Sequence, residues 1–293
     1  MQVHLIDGTY ELFRNFYSPR GGHTNKAGEE VGAVRGVLRG TLAMFDDGVS
    51  HIGVATDHVI ESFRNDMWQG YKDGSGIDAE LWAQFPWLEE ALRSLGVTVW
   101  AMEEYEADDA LAAAAAVADA DDRVDRVVIV TPDKDLAQCV KGQRVVQYDR
   151  RAQQFRGADE VLEKYGVPPE SIPDWLALVG DSADGFPGLP GWGAKSAAAV
   201  LRSYRHIDEI PQSPGQWDVP GLRGAAKLAA TLVEQFDNAV LFRTLARLVT
   251  DIDVGVVDDW EWTGPNDDLV DWCERLDAPD VLEKAERIAH VLG

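Results

Sequence analysis

Four short runs rich in β-branched residues punctuate the first half of the chain: Val3-His4-Leu5-Ile6, Ile52-Gly53-Val54-Ala55, Val97-Thr98-Val99-Trp100 and Val127-Val128-Ile129-Val130. Arg144-Val145-Val146-Gln147-Tyr148 is a weaker fifth. Helix-length segments lie between them, near 30–46, 84–95, 106–119 and 133–140. Strands alternating with helices predict a mostly parallel α/β sheet, because parallel neighbours need a crossover between them. From about residue 157 the strand pattern stops. Helices near 158–165, 172–179, 194–204 and 224–249 follow, parted by Gly/Pro-rich turns. Residues 57–80 fit neither pattern, and Asp73-Gly74-Ser75-Gly76 reads as an exposed loop or arch.

Composition changes this picture little. An apolar content of 45% over 293 residues is that of a folded chain with a sizeable core. The longest uncharged apolar run, Ala110 to Ala118, is too short to span a membrane. No basic region followed by an apolar stretch opens the chain, so no secretory signal is expected. Cys139 and Cys273 sit in no paired motif, which fits a reducing cytoplasm. The six histidines show no metal-ligand spacing.

Charge matters more. With 27 basic and 51 acidic residues the chain carries −24, which excludes a protein that grips nucleic acid through bulk positive surface. Carboxylates that hold cations also count as negative charge, so a nucleic-acid enzyme stays open. The charge is uneven: 251–293 has thirteen acids and three bases, whereas 185–250 has seven bases and five acids.

The acids fall where chemistry is expected. Asp7 follows the first strand and Asp57 the second; Glu106, Asp108 and Asp109 open the helix after the third; Asp133 and Asp135 follow the fourth. Asp181 and Asp184 share a tight Gly-bounded turn. Open parallel sheets bind ligands beyond the carboxyl ends of their strands. Any one of these acids is explained by a turn or helix cap. Together they would repel unless hard divalent cations, Mg²⁺ or Mn²⁺, sat among them. Two such ions about 3.5–4 Å apart form the clamp for in-line phosphoryl displacement. Next comes Gly188-Leu189-Pro190-Gly191-Trp192-Gly193-Ala194-Lys195-Ser196, a hairpin that opens a helix. It misses the Walker A pattern by one residue, since the Lys stands at 195. A helix–hairpin–helix clamp on a nucleic-acid backbone and a plain helical packing unit both remain open.

These motifs, in this order, resemble the 5′→3′ exonuclease and flap endonuclease family, which includes the N-terminal nuclease domain of bacterial DNA polymerase I. The resemblance runs from Met1 to about Val254. It rests on Asp7-Gly8, Ser62-Phe63-Arg64, Tyr71-Lys72, Tyr105-Glu106-Ala107-Asp108-Asp109, Asp133-Lys134-Asp135-Leu136-Ala137-Gln138, Gly180-Asp181-Ser182-Ala183-Asp184 and the hairpin from Pro187 to Lys195. It implies a PIN-like nuclease core over 1–165 with a helical arch near 58–86. A helix-3-turn-helix DNA-binding module over 166–255 and an acidic C-terminal segment over 256–293 follow.

The implied function is a structure-specific 5′ nuclease on DNA with a 5′ end, flap or nick, working as a cytoplasmic monomer away from membranes. By the same resemblance the nine acids are ligands of two or more Mg²⁺ or Mn²⁺ ions, directly or through water. Asp133, Asp135, Asp181 and Asp184 gather round one ion and Asp7, Asp57, Glu106, Asp108 and Asp109 round its partner. Lys72 and Arg64 act at the scissile phosphate, Arg14 contacts the backbone, and Tyr71 stacks on a terminal base. Gly191, Gly193, Lys195 and Ser196 hold the duplex, with a potassium ion at the hairpin bound in part by Ser196.

The chain departs from the family pattern at Thr56, where Phe is usual, and at Thr131-Pro132, where Ser-Gly is usual. Ser75 replaces the arch Arg, and Trp192 replaces an aliphatic in the hairpin. The altered arch favours one alternative, a DNA-binding protein with weak or no cleavage. A PIN-type ribonuclease is another, which the Gly-rich hairpin argues against. Ile6-Asp7-Gly8-Thr9 is similar to haloacid-dehalogenase-type phosphatases, but Leu5 stands where their nucleophile belongs. Trp68, in the arch segment, is a further candidate for base stacking.

Overall fold

The computed structural model describes residues 1–19 and 22–292. In chain order the elements are β1 (Gln2–Asp7), α1 (Gly8–Phe16), α2 (Gly32–Asp46), β2 (His51–Asp57), α3 (Phe63–Met67), α4 (Ala79–Trp82), α5 (Gln84–Ser94), β3 (Thr98–Met102), α6 (Ala107–Ala120) and β4 (Arg126–Val130). There follow β5 (Val145–Asp149), β6 (Gln154–Arg156), α7 (Ala158–Tyr165), α8 (Ile172–Val179), α9 (Ala194–Tyr204), α10 (Ala225–Glu234), α11 (Phe236–Ala246), α12 (Leu269–Arg275) and α13 (Pro279–Leu292). The chain forms two compact units: Met1–Ile60 with Gly74–Thr131 and Thr250–Gly293, and Glu61–Asp73 with Pro132–Val249.

The first unit holds parallel strands in the order β3-β2-β1-β4. The strand runs are uninterrupted by charge because β1, β2 and β4 are buried almost throughout. Alanines give α6 a small cross-section, so it lies close against β1 and β2, with Ala110, Ala113, Ala114 and Ala118 fully buried. Gly53 has to be Gly: a Cβ there would meet the Trp100 indole at 2.1 Å.

The segment after Thr250, legible in the sequence only as an acidic stretch, completes this unit. Trp260 is 1% exposed and meets Trp100 edge-on, with centroids 5.4 Å apart. Trp262 stacks on Phe45 at 4.3 Å and donates its indole N–H to Leu95 O. Several of its acids pair with bases of the same unit, Asp280 with Arg39, Asp258 with Arg123 and Asp277 with His23. Part of the segment's negative charge is therefore structural.

The second unit is mainly helical, with β5 and β6 as an antiparallel hairpin. Its core joins Ala137, Val140, Val161 and Val167 to Leu176, Leu201, Phe242 and Leu245. Residues on both sides of 165 share this core. Of the two short helices in the 58–86 stretch, α3 belongs to this unit and α4 to the first. Among the described residues no helix is long and apolar enough to cross a membrane.

One core residue sets a pH limit on stability. His4, on β1, is largely buried with no hydrogen-bond partner for Nδ1. Burial first, and Arg126 second, lower its pKa from 6.5 to about 4. An unfolded chain therefore takes up a proton near pH 6.5 that the folded chain refuses until about 4. The contribution is complete above pH 6.5 and is lost as pH falls, by about 2 kcal/mol at pH 5. Urea unfolding at pH 7 and pH 5 should show this loss in the wild type and not in His4→Gln. Equal losses in both would place the acid sensitivity elsewhere.

Candidate metal-binding active site

In the first unit the parallel sheet carries acids at its C-terminal edge. Asp7 ends β1 and caps α1: Oδ1 accepts the Tyr10 N–H at 2.8 Å, and Oδ2 accepts the Thr131 hydroxyl at 3.0 Å. Asp57 ends β2. Its backbone N–H donates to Thr9 Oγ1 and its Oδ1 accepts the Ala107 N–H, both at 2.9 Å. Glu106 and Asp109 form a capping box on α6, and Asp109 Oδ2 accepts the Glu106 N–H at 3.0 Å. Asp108 lies in the same first turn, half-buried. Asp7, Asp57 and Asp109 thus each bind a helix N-terminal N–H, which also orients their carboxylates.

The second unit holds the tightest group. Oxygens of Asp135, Asp181 and Asp184 lie within 4.8 Å of one another, and the residues are only 6%, 3% and 6% exposed. Asp133 orders the turn by accepting the Asp135 N–H at 2.9 Å, and Asp181 does the same for Ala183. Gly180 and Gly188, both at positive φ, bring the turn against the hairpin; a Cβ on Gly180 would meet the Pro187 carbonyl at 2.5 Å. Burial, then Asp133 and Asp184, push the Asp135 carboxyl well above the usual carboxylate range. Burial also acts to raise Asp184, but Lys72 and a hydrogen bond from Asp135 outweigh it and hold Asp184 low. Of the two, Asp135 is the one whose neutral form its surroundings favour. Asp135 Oδ1 is buried with no hydrogen-bond partner. An all-oxygen set with such an oxygen fits a hard divalent cation.

Two lysines face this group. Lys72 Nζ lies 3.1 Å from Asp184, and its N–H donates to Asp184 O. Lys134 pairs with Asp181, and although burial opposes it, the neighbouring carboxylates raise its pKa. Lys134 was legible only as part of the Asp-Lys-Asp motif; nothing in the sequence marked it as an ion-pair partner.

Two expectations are corrected. Arg64 is fully buried: its guanidinium donates to Leu245 O at 2.8 Å and Arg247 O at 3.0 Å, tying α3 to the end of α11. Its role in this structure is that of a structural tie. Tyr71 is 5% exposed within the helical core, so its ring offers no stacking face. Trp68 is half-buried, edge-on to Phe242 at 5.2 Å, with its N–H on Gly185 O. Arg14 is held by Glu11 through both guanidinium and carboxylate, and remains 30% exposed.

The hairpin reaches α9 through Gly193, its N-cap. Ser196 Oγ accepts the Gly193 N–H and donates to Gly193 O, each at 3.0 Å. Gly191 takes φ +84°, while Lys195 is exposed. Trp192 is buried at 6% exposure and packs near Trp217.

Fold and site together define a protein with an acid-edged parallel sheet, a buried carboxylate triad and a helical hairpin unit. Two family models match, the N-terminal resolvase-like domain of 5′-3′ exonucleases over residues 2–166 and their C-terminal SAM fold over 167–268. The chain belongs to the 5′-3′ exonuclease family. It is 34% identical over 257 residues to DNA polymerase I of Rhizobium leguminosarum, covering 85% of this chain and 24% of that one. It is 35% identical over 266 residues to DNA polymerase I of Pseudomonas aeruginosa, covering 86% of this chain and 28% of the relative. The chain thus spans about a quarter of the length of these curated relatives. Among solved structures, T5 5′-exonuclease with bound zinc matches with TM-score 0.66 at 18% identity, covering 97% of this chain and all of that one. Flap endonuclease-1 from Methanococcus jannaschii matches with TM-score 0.61 at 16% identity, covering 99% and 91%. At such identities these two speak for the fold.

Proposed function

We propose that this protein is a divalent-metal-dependent nuclease that hydrolyses DNA phosphodiester bonds at a 5′ end, flap or nick. The observation that carries this reading is the buried Asp135–Asp181–Asp184 group with its unbonded Oδ1. Family membership supports it, as do relatives of this fold solved with DNA, among them Rad2 with a DNA substrate. Mg²⁺ or Mn²⁺ suits the oxygen donors, two ions in all. Such ions, when bound, supply an acidified water and neutralise charge on the departing oxygen.

The chain's own residues do the rest. Asp7, Asp57, Glu106, Asp108 and Asp109 in one unit, and Asp133, Asp135, Asp181 and Asp184 in the other, present the carboxylates, and backbone N–H groups hold those of Asp7, Asp57, Asp109, Asp133 and Asp181. Lys72 donates to a phosphate oxygen where negative charge develops, with Asp184 keeping its Nζ in place. Lys195 and the backbone at Gly191 and Gly193 contact duplex phosphates, with Ser196 on a potassium ion. The protein works as a monomer in the cytoplasm.

The test is a panel of 5′-flap, nicked, blunt and single-stranded DNA in Mg²⁺, Mn²⁺, Ca²⁺ and EDTA. Cleavage of 5′-ended DNA in Mg²⁺ or Mn²⁺, with binding alone in Ca²⁺, is expected. Tight binding without cleavage in every metal would make it a binding protein, and preference for RNA a PIN-type ribonuclease.

A further inference from the structure

At the end of β2, residues alternate between faces, so Thr56 and His58 share one side of the sheet and Asp57 points to the other. Asp57 meets α6 through the Ala107 N–H. Thr56 and His58 meet α5, and both meet the same side chain there. Glu89 Oε1 accepts the Thr56 hydroxyl at 2.9 Å, and Glu89 Oε2 lies 2.9 Å from His58 Nδ1, which donates to the carboxylate. Thr56 and Glu89 are 2% and 3% exposed, while the His58 side chain is 44% exposed. A carboxylate this deep in an α/β interior is costly unless both oxygens are bonded. Here both are, and the two donors flank a single residue. An apolar side chain at 56 could make no such bond.

We propose that Glu89 is a positioning residue for Asp57. Resting on the nuclease reading above, Glu89 pins residues 56 and 58 from the α5 side while Thr9 and Ala107 hold Asp57 itself. The last peptide units of β2 then have no freedom to swing, and Asp57 Oδ2 stays available to a divalent cation. Outer partners of this kind set the orientation of the groups that hold a metal.

The experiment is calorimetric titration of Mn²⁺ into wild type, Glu89→Leu, Glu89→Gln and Thr56→Val, beside the Mn²⁺ dependence of flap cleavage. Glu89→Leu is expected to weaken Mn²⁺ at one site by about 10-fold or more. The Mn²⁺ needed for half-maximal cleavage should rise in step, with the rate largely recovered at saturation. Glu89→Gln, which keeps an acceptor, should recover part of the affinity. A Glu89→Leu protein that melts earlier but binds Mn²⁺ as wild type does would make Glu89 a packing residue and overturn the proposal. Should Glu89→Leu not fold, Thr56→Val decides: it removes one hydrogen bond and no charge, and unchanged Mn²⁺ affinity in it is equally fatal. A wild type that neither binds Mn²⁺ nor cleaves would overturn the nuclease reading itself, and this proposal with it.

Discussion

Replacing Asp135 by Asn should abolish cleavage and leave the metal-free protein at least as stable as wild type. The expected rate loss is on the order of 10³-fold, the scale of removing a preplaced charge-stabilising group. The stability half follows from the proton count. In the metal-free protein burial and the acidic neighbours raise the Asp135 pKa well above the usual carboxylate range, which favours its neutral form. A carboxyl raised in this way costs the folded state stability at neutral pH, since the unfolded chain holds the group ionised without penalty. Asn is the permanent form of that neutral group, and its amide N–H can replace the bond that Asp135 gives Asp184. Melting in EDTA should therefore give an equal or higher Tm for Asp135→Asn. Adding Mn²⁺ should raise the wild-type Tm by mass action and move the variant little. Loss of activity together with a large drop in metal-free Tm would mean that Asp135 is a structural residue. Retained activity would remove the triad from the proposed site.

This trade-off marks what the sequence can and cannot reveal. The acids were legible because their spacing follows the strands: Asp7 and Asp57 end β1 and β2, and the α6 capping box follows β3. Helices with strong periodicity, such as α2 and α8, lie within two residues of their expected ends. The long helix expected over 224–249 is two, α10 and α11, because Gln235 caps one and opens the next at a non-helical φ of −116°. α1 gave no separate signal, since it follows β1 without a loop. Side-chain direction was the least legible. Arg64 and Tyr71 stand at positions where the resemblance puts substrate contacts, yet α3 is short and packs on α11, which buries both. Glu89 lies more than thirty residues from Thr56, and one helix position among several polar ones carries no mark of a long-range contact. The C-terminal tryptophans were hidden by the acids around them, because the count of charges outweighed the few residues that enter the core.

Asp174→Ala should be the most damaging single change in the helical unit, costing about 3–5 kcal/mol, as expected when one member of a buried ionic cluster is removed. Asp174 is fully buried on α8 and serves three donors from two later segments. Its Oδ1 accepts the Ile207 N–H at 3.0 Å and Arg243 Nη1 at 3.3 Å, and Oδ2 lies 2.9 Å from His206 Nδ1. Those bonds fasten the turn after α9, where Arg205 takes φ +62°, and fasten α11 beside it. Arg243 also pairs with Asp208, so it keeps one partner when Asp174 is lost. Ile207 N–H and His206 Nδ1 do not, and among the described residues no other acceptor is bonded to either. Asp174→Asn should be milder, about 1–2 kcal/mol, since its carbonyl still serves Ile207 and Arg243. The amide N–H₂ then faces His206, whose ring can move its proton to Nε2 and accept. For a chain of this size the Ala variant should melt roughly 10 °C below wild type and the Asn variant only a few degrees below. Because α8 and α9 flank the Gly188–Gly193 hairpin, duplex binding in Ca²⁺ should fail in Asp174→Ala at temperatures where far-UV circular dichroism of the strands persists. Identical melting of the two variants would show that His206 cannot re-pair, and that the cluster works by charge alone.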